Sequence, residues 1–474
     1  MLFQINIKNI IISFIILLVV IFLGMFIPGF VDIFSEKKAV LFVFPIMIIF
    51  VMLLVFARDF LFLMVLLCRS FLDPVFELTK LGGRNSGFGL GGVVNILVIG
   101  LAVFAIQKKP YPALDITSKV WGGFLLVVLL SMFLAPSFVG AIKFNFNIFS
   151  YIAIFAFPFT LIKSREDFIY WIKIILLSSI VPVLFGYYEL VRHSPGIHSN
   201  AIEGFRIEST FGHPNIFAFY LVFMATLIYG AINTKMINLT QKMRRFLMAY
   251  IVIMLILLVF TKTRSAWVGC FVYFMFYGLC YDRRLLFFVL IVAPCMSLFV
   301  PEIRDRLMDI NIGGEYLQYG RLDSYTWRKQ LWQHSIEWMQ PSRYLLGYGG
   351  NSFRYYSGLF GGLGMDAHSV FIQLIFETGF IGLLAFSWAL VMIAYRVIRN
   401  YVIDRIVRFT ILQLLLQYVM FSYSDNMLDY LLYNWYLWFV IGAALSLGLV
   451  EQNATRCTDS EVNIARQKKV IFLR

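Results

Sequence analysis

Arginine and histidine residues border several long apolar stretches of this sequence. Arg206 and Asn215 bracket one polar run, Arg264 ends the turn 261–264 between two apolar stretches, and His368 opens another. An arginine guanidinium binds phosphate oxygens through two parallel N–H donors and stays ionised near a membrane. A histidine takes a proton from an attacking hydroxyl near neutral pH. This set fits attack on a sugar whose leaving group is a lipid diphosphate, with the arginines stabilising the developing charge.

A second group of charged residues follows along the chain. Arg321 and Arg328 are seven residues apart, so on one helix they would share a face. Asp366 comes shortly before His368, and Glu377 lies in the apolar stretch that His368 opens. No paired carboxylates or histidine clusters stand out beside Asp366, so the sequence predicts no metal site. It predicts no cofactor either, and no Gly-rich phosphate loop follows a strand.

Each of these residues also has a simpler interpretation. Arg264 could extend from a helix end to the membrane surface, and Arg206 could pair with a nearby carboxylate. Arg321 and Arg328 could form a solvated helix face, and His368 could be a polar residue at a helix start. Their shared side of the membrane favours function, because several cations placed outward are costly unless an anion binds there.

The composition is that of an integral membrane protein. The chain has 474 residues, of which 61% are hydrophobic and 14% charged, whereas a soluble domain needs a larger polar surface. The net charge is +14. This excess fits basic cytoplasmic loops and an anionic lipid-borne substrate, so no nucleic-acid partner is predicted. The five cysteines show neither metal-ligand spacing nor a disulfide framework.

Apolar stretches of spanning length recur along the chain, since a helix needs about 20 residues to cross a bilayer. They lie near 8–27, 39–57, 90–106, 119–137, 147–163, 168–190, 212–232, 246–262, 265–281, 284–300, 368–394, 404–422 and 429–449. A shorter stretch at 60–68 predicts a short or re-entrant helix. The predicted fold is therefore all-α, a polytopic transmembrane helix bundle of about 12–14 spans.

This pattern divides the chain into five regions. They are N-terminal transmembrane helices (1–200), a transmembrane core with the arginine motifs (201–300), a long periplasmic loop (301–367), C-terminal transmembrane helices (368–450) and a basic cytoplasmic tail (451–474). The long loop is the main hydrophilic stretch, and such loops are commonly functional. Apolar residues at helical spacing over 322–340 predict an amphipathic helix on the outer membrane surface, followed by glycine-rich turns.

Lysine and arginine residues mark one side of the membrane. They concentrate in the 233–246, 281–284 and 395–408 loops and in the C-terminal tail, which share a side when the intervening helices alternate. The positive-inside rule makes that side cytoplasmic. The turn that ends at Arg264 and the loop 301–367 then face the opposite side, which is the periplasm in a bacterium.

Four short motifs occur in order between residues 206 and 383. The first is Arg206 with Ser-Thr-Phe-Gly-His-Pro-Asn at 209–215, and the second is Thr-Lys-Thr-Arg at 261–264. The third is Arg328 and Trp332 followed by Pro341 and Gly-Tyr-Gly at 347–349, and the fourth is His-Ser-Val-Phe-Ile-Gln at 368–373 with Glu377, Gly379 and Gly382. In these motifs the chain resembles the O-antigen ligase / O-antigen polymerase family of bacterial envelope glycan enzymes. Ser369 stands where the family usually has asparagine.

The resemblance implies an integral-membrane, metal-independent, inverting glycosyltransferase at the periplasmic face of the bacterial inner membrane. The donor would be a glycan on undecaprenyl diphosphate. It implies that His368 is the base and that Arg206, Arg264 and Arg328 hold the diphosphate, with Arg321 competing for the role of Arg328. The supporting residues would be Asn215, Trp332, Asp366 and Glu377.

Two acceptors remain open under this resemblance. A polymerase of O-antigen or exopolysaccharide repeat units uses a second lipid-linked glycan, and a lipopolysaccharide ligase uses lipid A-core. We favour the polymerase, with membrane lipids and a chain-length regulator among its partners. A lipid-glycan transporter is a further alternative, but it predicts internal repeats and mid-bilayer charges, which this sequence does not display. A non-catalytic membrane scaffold would have no need of outward arginines near a histidine.

Overall fold

The chain folds into a bundle of α-helices. The computed structural model describes residues 56–78, 90–108, 111–193, 205–299, 324–362 and 364–472, together with positions 48, 49, 52, 53 and 304. The first helices are α1 (Arg58–Cys68), α2 (Asp73–Leu78), α3 (Leu90–Lys108), α4 (Ala113–Ser131), α5 (Phe138–Ala156), α6 (Pro158–Leu161), α7 (Arg165–Ser178) and α8 (Ile180–Arg192). The others are α9 (Pro214–Asn233), α10 (Gln241–Phe260), α11 (Arg264–Cys280), α12 (Arg283–Phe299), α13 (Ser324–Trp338), α14 (Ser352–Tyr356), α15 (Val370–Arg399), α16 (Arg405–Ser424) and α17 (Leu431–Phe472).

Within the described residues, nine segments are long and apolar enough to cross a membrane. They are α3, α4, α5 with α6, α7 with α8, α9, α10, α15, α16 and the first part of α17. The predicted all-α polytopic bundle is therefore confirmed. α11 and α12 are apolar helices of 17 residues each, slightly shorter than a typical span. The predicted span 8–27 and almost all of 39–57 lie outside the described residues, so the total of 12–14 stays a prediction.

The predicted span 168–190 is two helices, α7 and α8, rather than one. Pro182 lies in the first turn of α8 and has no backbone N–H, so it cannot bond the carbonyl of Ser178. That carbonyl instead accepts a hydrogen bond from Oγ of Ser70 at 2.7 Å. The break therefore ties these helices to the segment that follows α1.

Helices α9 and α17 form the centre of the bundle. The buried share is 78% for α9 and 89% for the spanning part of α17, against 22% for the peripheral α10. Helices that are apolar on all faces are typical of such central positions. Two buried tyrosines there donate to backbone carbonyls: Tyr436 to that of Leu66 and Tyr151 to that of Leu428, both at 2.6 Å.

Several loops between helices meet at one end of the bundle. At one end the hydroxyl of Tyr281 donates to the carbonyl of Arg405 at 3.4 Å, and Arg165 pairs with Glu451 at 2.7 Å. This end, which also carries Arg396, is called the basic end below. It unites the loops that the charge pattern of the sequence placed on one side. The opposite end is called the site end.

The long segment before α15 folds onto that helix around an aromatic cluster. Trp338 contacts four rings at centroid distances of 5.2 to 5.9 Å, those of Tyr348, Tyr356, Phe360 and Phe376. Leu331 and Met339 are buried in the same cluster. The predicted amphipathic helix is present as α13, and protein rather than lipid covers these apolar side chains.

The glycine-rich turn at 347–349 bonds to the backbone of α15 just before Gly379. The N–H groups of Tyr348 and Gly349 donate to the carbonyls of Phe376 and Glu377 at 2.9 and 2.8 Å. These carbonyls are available because α15 is interrupted at Gly379, whose backbone has φ +69° and ψ −175°. Only glycine adopts this conformation readily. This contact therefore holds the long segment against α15 at the site end.

We expect Gly379→Ala to lower the free energy of unfolding by about 3 kcal/mol, because the backbone there is strained for any L-residue. A Cβ at this position would also lie 2.1 Å from the carbonyl oxygen of Leu345. Thermal unfolding of the purified protein in detergent measures the change. The matched control is Gly358→Ala, where a Cβ meets nothing within 4 Å. Equal melting temperatures for the two variants would contradict the prediction.

Candidate active site

A buried carboxylate fixes the segment that carries Arg206. Glu189, near the end of α8, accepts hydrogen bonds from the backbone N–H groups of Glu208 and Ser209 at 3.1 and 2.7 Å. The hydroxyl of Ser209 donates to the carbonyl of Pro182 at 2.6 Å. Helix α8 thus provides both anchors, one in its first turn and one near its end, and the segment is held at the site end.

The Arg206 side chain is 8% exposed and binds the turn before α11. Its Nε donates to the carbonyl of Thr261 at 2.8 Å, and its Nη2 donates to Oδ1 of Asn215 at 3.0 Å and to Oγ1 of Thr263 at 3.3 Å. These bonds position the turn from which Arg264 starts α11. Arg206 therefore organises the first two sequence motifs into one unit.

Asn215 connects this unit to a buried aspartate that the sequence analysis missed. Nδ2 of Asn215 donates to Oδ2 of Asp425 at 2.7 Å. Oδ1 of Asp425 accepts from the hydroxyl of Tyr430 at 2.6 Å and from the backbone N–H of Asn426 at 3.0 Å. The available signal was a carboxylate between two spanning segments, which is costly to bury and therefore commonly functional.

His368 lies next to the same carboxylate. Its Nδ1 is 3.7 Å from Oδ1 of Asp425, and its ring centroid is 5.8 Å from that of Trp327. The imidazole is 29% exposed, whereas the aspartate side chain is 2% exposed. Because Nδ1 faces the carboxylate, Nε2 is the nitrogen that can reach a substrate. An aspartate in this position favours one tautomer and stabilises the imidazolium form.

Helix α13 contributes two side chains to this region. Nη1 of Arg328 donates to the carbonyl of Ser424 at 2.5 Å, directly before the buried aspartate. Nε1 of Trp332 donates to the carbonyl of Ala367 at 2.6 Å, directly before the histidine. These two hydrogen bonds hold the predicted loop residues Arg328 and Trp332 beside Asp425 and His368.

The charges around Asp425 keep it ionised. Burial by itself raises the pKa of this carboxyl, but the contact with His368 and the nearby guanidinium of Arg328 outweigh burial and hold the pKa below its ordinary value. A carboxylate in this state can support a positive charge on the neighbouring imidazole. The nearby Asp429 differs, since burial and the charge of Asp366 raise its pKa.

Of the other two arginines predicted to bind the diphosphate, the structure describes Arg264 but not Arg321. Arg264 is the first residue of α11 and is half-buried at the site end. Its backbone N–H lies at a helix N-terminus, where the helix dipole favours an anion. Arg321 lies outside the described residues, so Arg328 is the loop arginine that the structure places at the site.

Asp366 and Glu377 contact the folded loop and not the histidine network. Asp366 forms an ion pair with Arg354. Glu377 is 1% exposed, and its Oε1 accepts from the backbone N–H of Phe353 at 3.3 Å and from Nε2 of Gln373 at 3.2 Å. The observed contacts of both residues are therefore with the loop.

A buried arginine near the site end was also missed from the sequence. Arg69 is 3% exposed, pairs with Asp73 at 2.5 Å, and lies 5.0 Å from the ring of Phe76 and 5.6 Å from that of Trp435. The sequence feature that could have indicated Arg69 is its position directly after the short apolar stretch 60–68. The ion pair and the aromatic rings stabilise a cation that would otherwise be costly there.

Backbone strain is concentrated at the site end. In the described residues, the non-glycine residues with positive φ are His193, Ser209, Lys262, Asn351 and His368, with φ from 48° to 60°. Each of them lies at the site end. Such conformations persist where surrounding contacts over-determine them, which is common in functional sites.

Together, these features define a polytopic α-helical membrane protein with an arginine–histidine–aspartate site at one end. Residues 249–387 match the model of the family described as O-antigen ligase. The resemblance to the O-antigen ligase and polymerase family is thereby confirmed, and it supports a membrane enzyme of this type. The matched segment includes Arg264, Arg328 and His368, whereas Arg206 and Asp425 lie outside it. A search of curated proteins found no match to the chain.

Proposed function

We propose that this protein is a glycosyltransferase that polymerises O-antigen or exopolysaccharide repeat units at the periplasmic face of the bacterial inner membrane. The donor is a glycan on undecaprenyl diphosphate, and the acceptor is a second lipid-linked glycan. The second candidate is a ligase that transfers the glycan to lipid A-core, which the description of the matched family favours. Both reactions use the same transfer chemistry and differ in the acceptor.

The observation that carries this proposal is one continuous set of contacts from the arginines to the histidine. Arg206 bonds Asn215 at 3.0 Å, Asn215 bonds Asp425 at 2.7 Å, and Asp425 lies 3.7 Å from His368. Arg328 bonds the residue before Asp425. Cationic groups and a candidate base are therefore held together at one membrane surface, as transfer from a diphosphate requires.

In the proposed reaction, a hydroxyl oxygen of the acceptor sugar attacks the anomeric carbon of the donor on the face opposite the diphosphate. The bond between that carbon and the diphosphate oxygen breaks, and undecaprenyl diphosphate leaves with the electron pair. Nε2 of His368 takes the hydroxyl proton, and Asp425 stabilises the resulting imidazolium. Arg264 and Arg328 stabilise the negative charge on the departing diphosphate. The anomeric configuration is inverted.

Deletion of the gene tests the proposal in a bacterium that carries it. Lipopolysaccharide and secreted polysaccharide would be analysed by silver-stained gel and by sugar assay. Core bearing a single repeat unit, or loss of secreted polymer with intact O-antigen, identifies a polymerase. Bare core with long glycan accumulating on undecaprenyl diphosphate identifies the ligase. Unchanged glycans would overturn both candidate functions.

We expect Asp425→Asn to lower kcat by about 10²-fold or more with little change in KM, because the aspartate positions the histidine without touching the donor. The neutral amide also cannot stabilise the imidazolium. Transfer from a lipid-diphosphate donor by the purified protein measures both constants. The matched control is Asp115→Asn, which breaks an exposed ion pair with Lys119 at the basic end. A normal kcat for Asp425→Asn would remove this residue from the mechanism.

Because the arginines supply the positive charge, the proposed transfer uses no metal ion. We therefore expect EDTA to leave the initial rate of the purified protein unchanged. The control is the same assay after addition of Mg²⁺ in excess of the chelator. A rate that collapses with EDTA and returns with Mg²⁺ would require a different mechanism of charge stabilisation.

A further inference from the structure

A cavity of about 430 Å³ lies at the basic end, far along α15 from His368. Helices α4, α15 and α17 line this open cavity. Its polar lining comes from the end of α15 and from α17, with Arg396, Arg399, Asn400 and Gln452. None of these residues takes part in the proposed transfer, which is confined to the site end.

Two polar groups of the cavity wall are buried without a hydrogen-bond partner. Nε of Arg396 and Oδ1 of Asn400 each lack one, although Asn400 is only 6% exposed. A buried donor or acceptor without a partner costs about 1–3 kcal/mol. Because both atoms have almost no accessible surface, a ligand in the cavity would contact the other polar atoms of these side chains.

The arginines of the cavity also lack a counter-charge from the described part of the chain. The nearby carboxylates are already engaged, since Glu451 pairs with Arg165 and Asp404 caps the start of α16. Arg399 lies over the ring of Tyr395 at 5.6 Å, which is a weaker interaction than an ion pair. A ligand that brings negative charge would balance Arg396 and Arg399.

The remaining wall of the cavity is apolar and identifies the source of that charge. Ile116, Leu445 and Leu449 line it alongside the arginines. A soluble anion gains nothing from these side chains, whereas a phospholipid can place its phosphate at the arginines and its acyl chains along the leucines. Basic pockets between transmembrane helices on the cytoplasmic side bind anionic lipid headgroups in this way.

We propose that this cavity binds an anionic phospholipid of the cytoplasmic leaflet, such as phosphatidylglycerol. The lipid phosphate accepts hydrogen bonds from Arg396 and Arg399. The bound lipid bridges the basic ends of α4, α15 and α17 and stabilises the bundle there.

The alternative explanation is that these arginines serve only membrane topology. Topogenic arginines act through their charge and reach water or headgroups by extending their side chains. That role needs neither a cavity nor an apolar wall beside the arginines. Variants that change the charge and the shape of the cavity independently distinguish the two explanations.

The test uses the full-length protein in detergent, titrated with phosphatidylglycerol while thermal unfolding and lipid retention in native mass spectrometry are recorded. We expect phosphatidylglycerol to raise the melting temperature where phosphatidylcholine does not. Arg396→Gln with Arg399→Gln should weaken binding about tenfold or more. Leu449→Trp, which fills the cavity without changing the charge, should weaken binding as well.

The matched control is Arg283→Gln with Arg284→Gln, which removes two exposed charges from the same end outside the cavity. Binding by this control should equal that of the unmodified protein. Equal weakening in the control, or full binding by Leu449→Trp, would overturn the cavity assignment. A matching response to inorganic phosphate would show a site for a free anion and overturn the lipid assignment. If the double variant at the cavity does not fold, Arg399→Gln alone, at an exposed position, replaces it.

Discussion

Replacing His368 with alanine is expected to lower glycan transfer by about 10²- to 10⁴-fold, the usual contribution of a positioned general base. The protein should still insert and fold, because the imidazole is partly exposed and lies against one carboxylate and one aromatic ring. The rate is measured with purified protein and a lipid-diphosphate donor. Complementation of the deletion strain gives the matching result in cells.

The control for this substitution is His334→Ala. His334 is an exposed histidine on α13, on the same long segment. It lies outside the network of contacts around Asp425, so its removal should leave the rate unchanged. If correctly inserted His368→Ala protein produced normal glycan, the histidine would have no catalytic role and the proposed site would be lost.

The second large effect is expected for Arg264→Ala, with a loss of about 10²- to 10³-fold in kcat, as for removal of one oxyanion donor. Charge on the diphosphate grows as the sugar bond breaks, so the arginine acts mainly in the transition state. Arg264→Lys should recover only part of the rate, because lysine keeps the charge but loses the planar pair of donors. Steady-state kinetics of both variants measure these effects.

Arg192→Ala provides the comparison for charge alone. Arg192 is an exposed arginine at the end of α8, also at the site end, and lies 5.4 Å from the ring of Tyr188. Its loss should change the rate little, since surface charges are screened by salt. Equal losses for the two arginines would point to a general effect of surface charge and away from a specific diphosphate contact.

Much of the membrane architecture could be predicted because bilayer crossing imposes a local rule on the sequence. A helix must supply about 20 apolar residues in succession, and this length is visible without knowledge of neighbours. The break between α7 and α8 was not visible in this way. It depends on Pro182 and on the hydroxyl of Ser70, which lies more than one hundred positions away.

The site could be predicted in part for a similar reason. Arg264 and His368 stand beside spans within motifs whose spacing is local, so the sequence alone indicates them. Asp425 belongs to no local motif, and its importance comes from Asn215 and His368, which lie far from it in the chain. Arg206 could be identified as a site residue from the sequence, but its contacts with the turn before α11 could be identified only in the folded structure.

The sequence by itself therefore determined the class of the protein, its apolar helices and most of the polar residues at one membrane surface. These properties depend on hydrophobicity and on short spacings, which act over a few helical turns. Only the tertiary structure decided that Asp425 faces His368, that Glu377 and Asp366 contact the loop, and that the glycine-rich turn at 347–349 bonds to α15. Those outcomes depend on packing between distant segments, where the geometry of each contact is set by every helix that surrounds it.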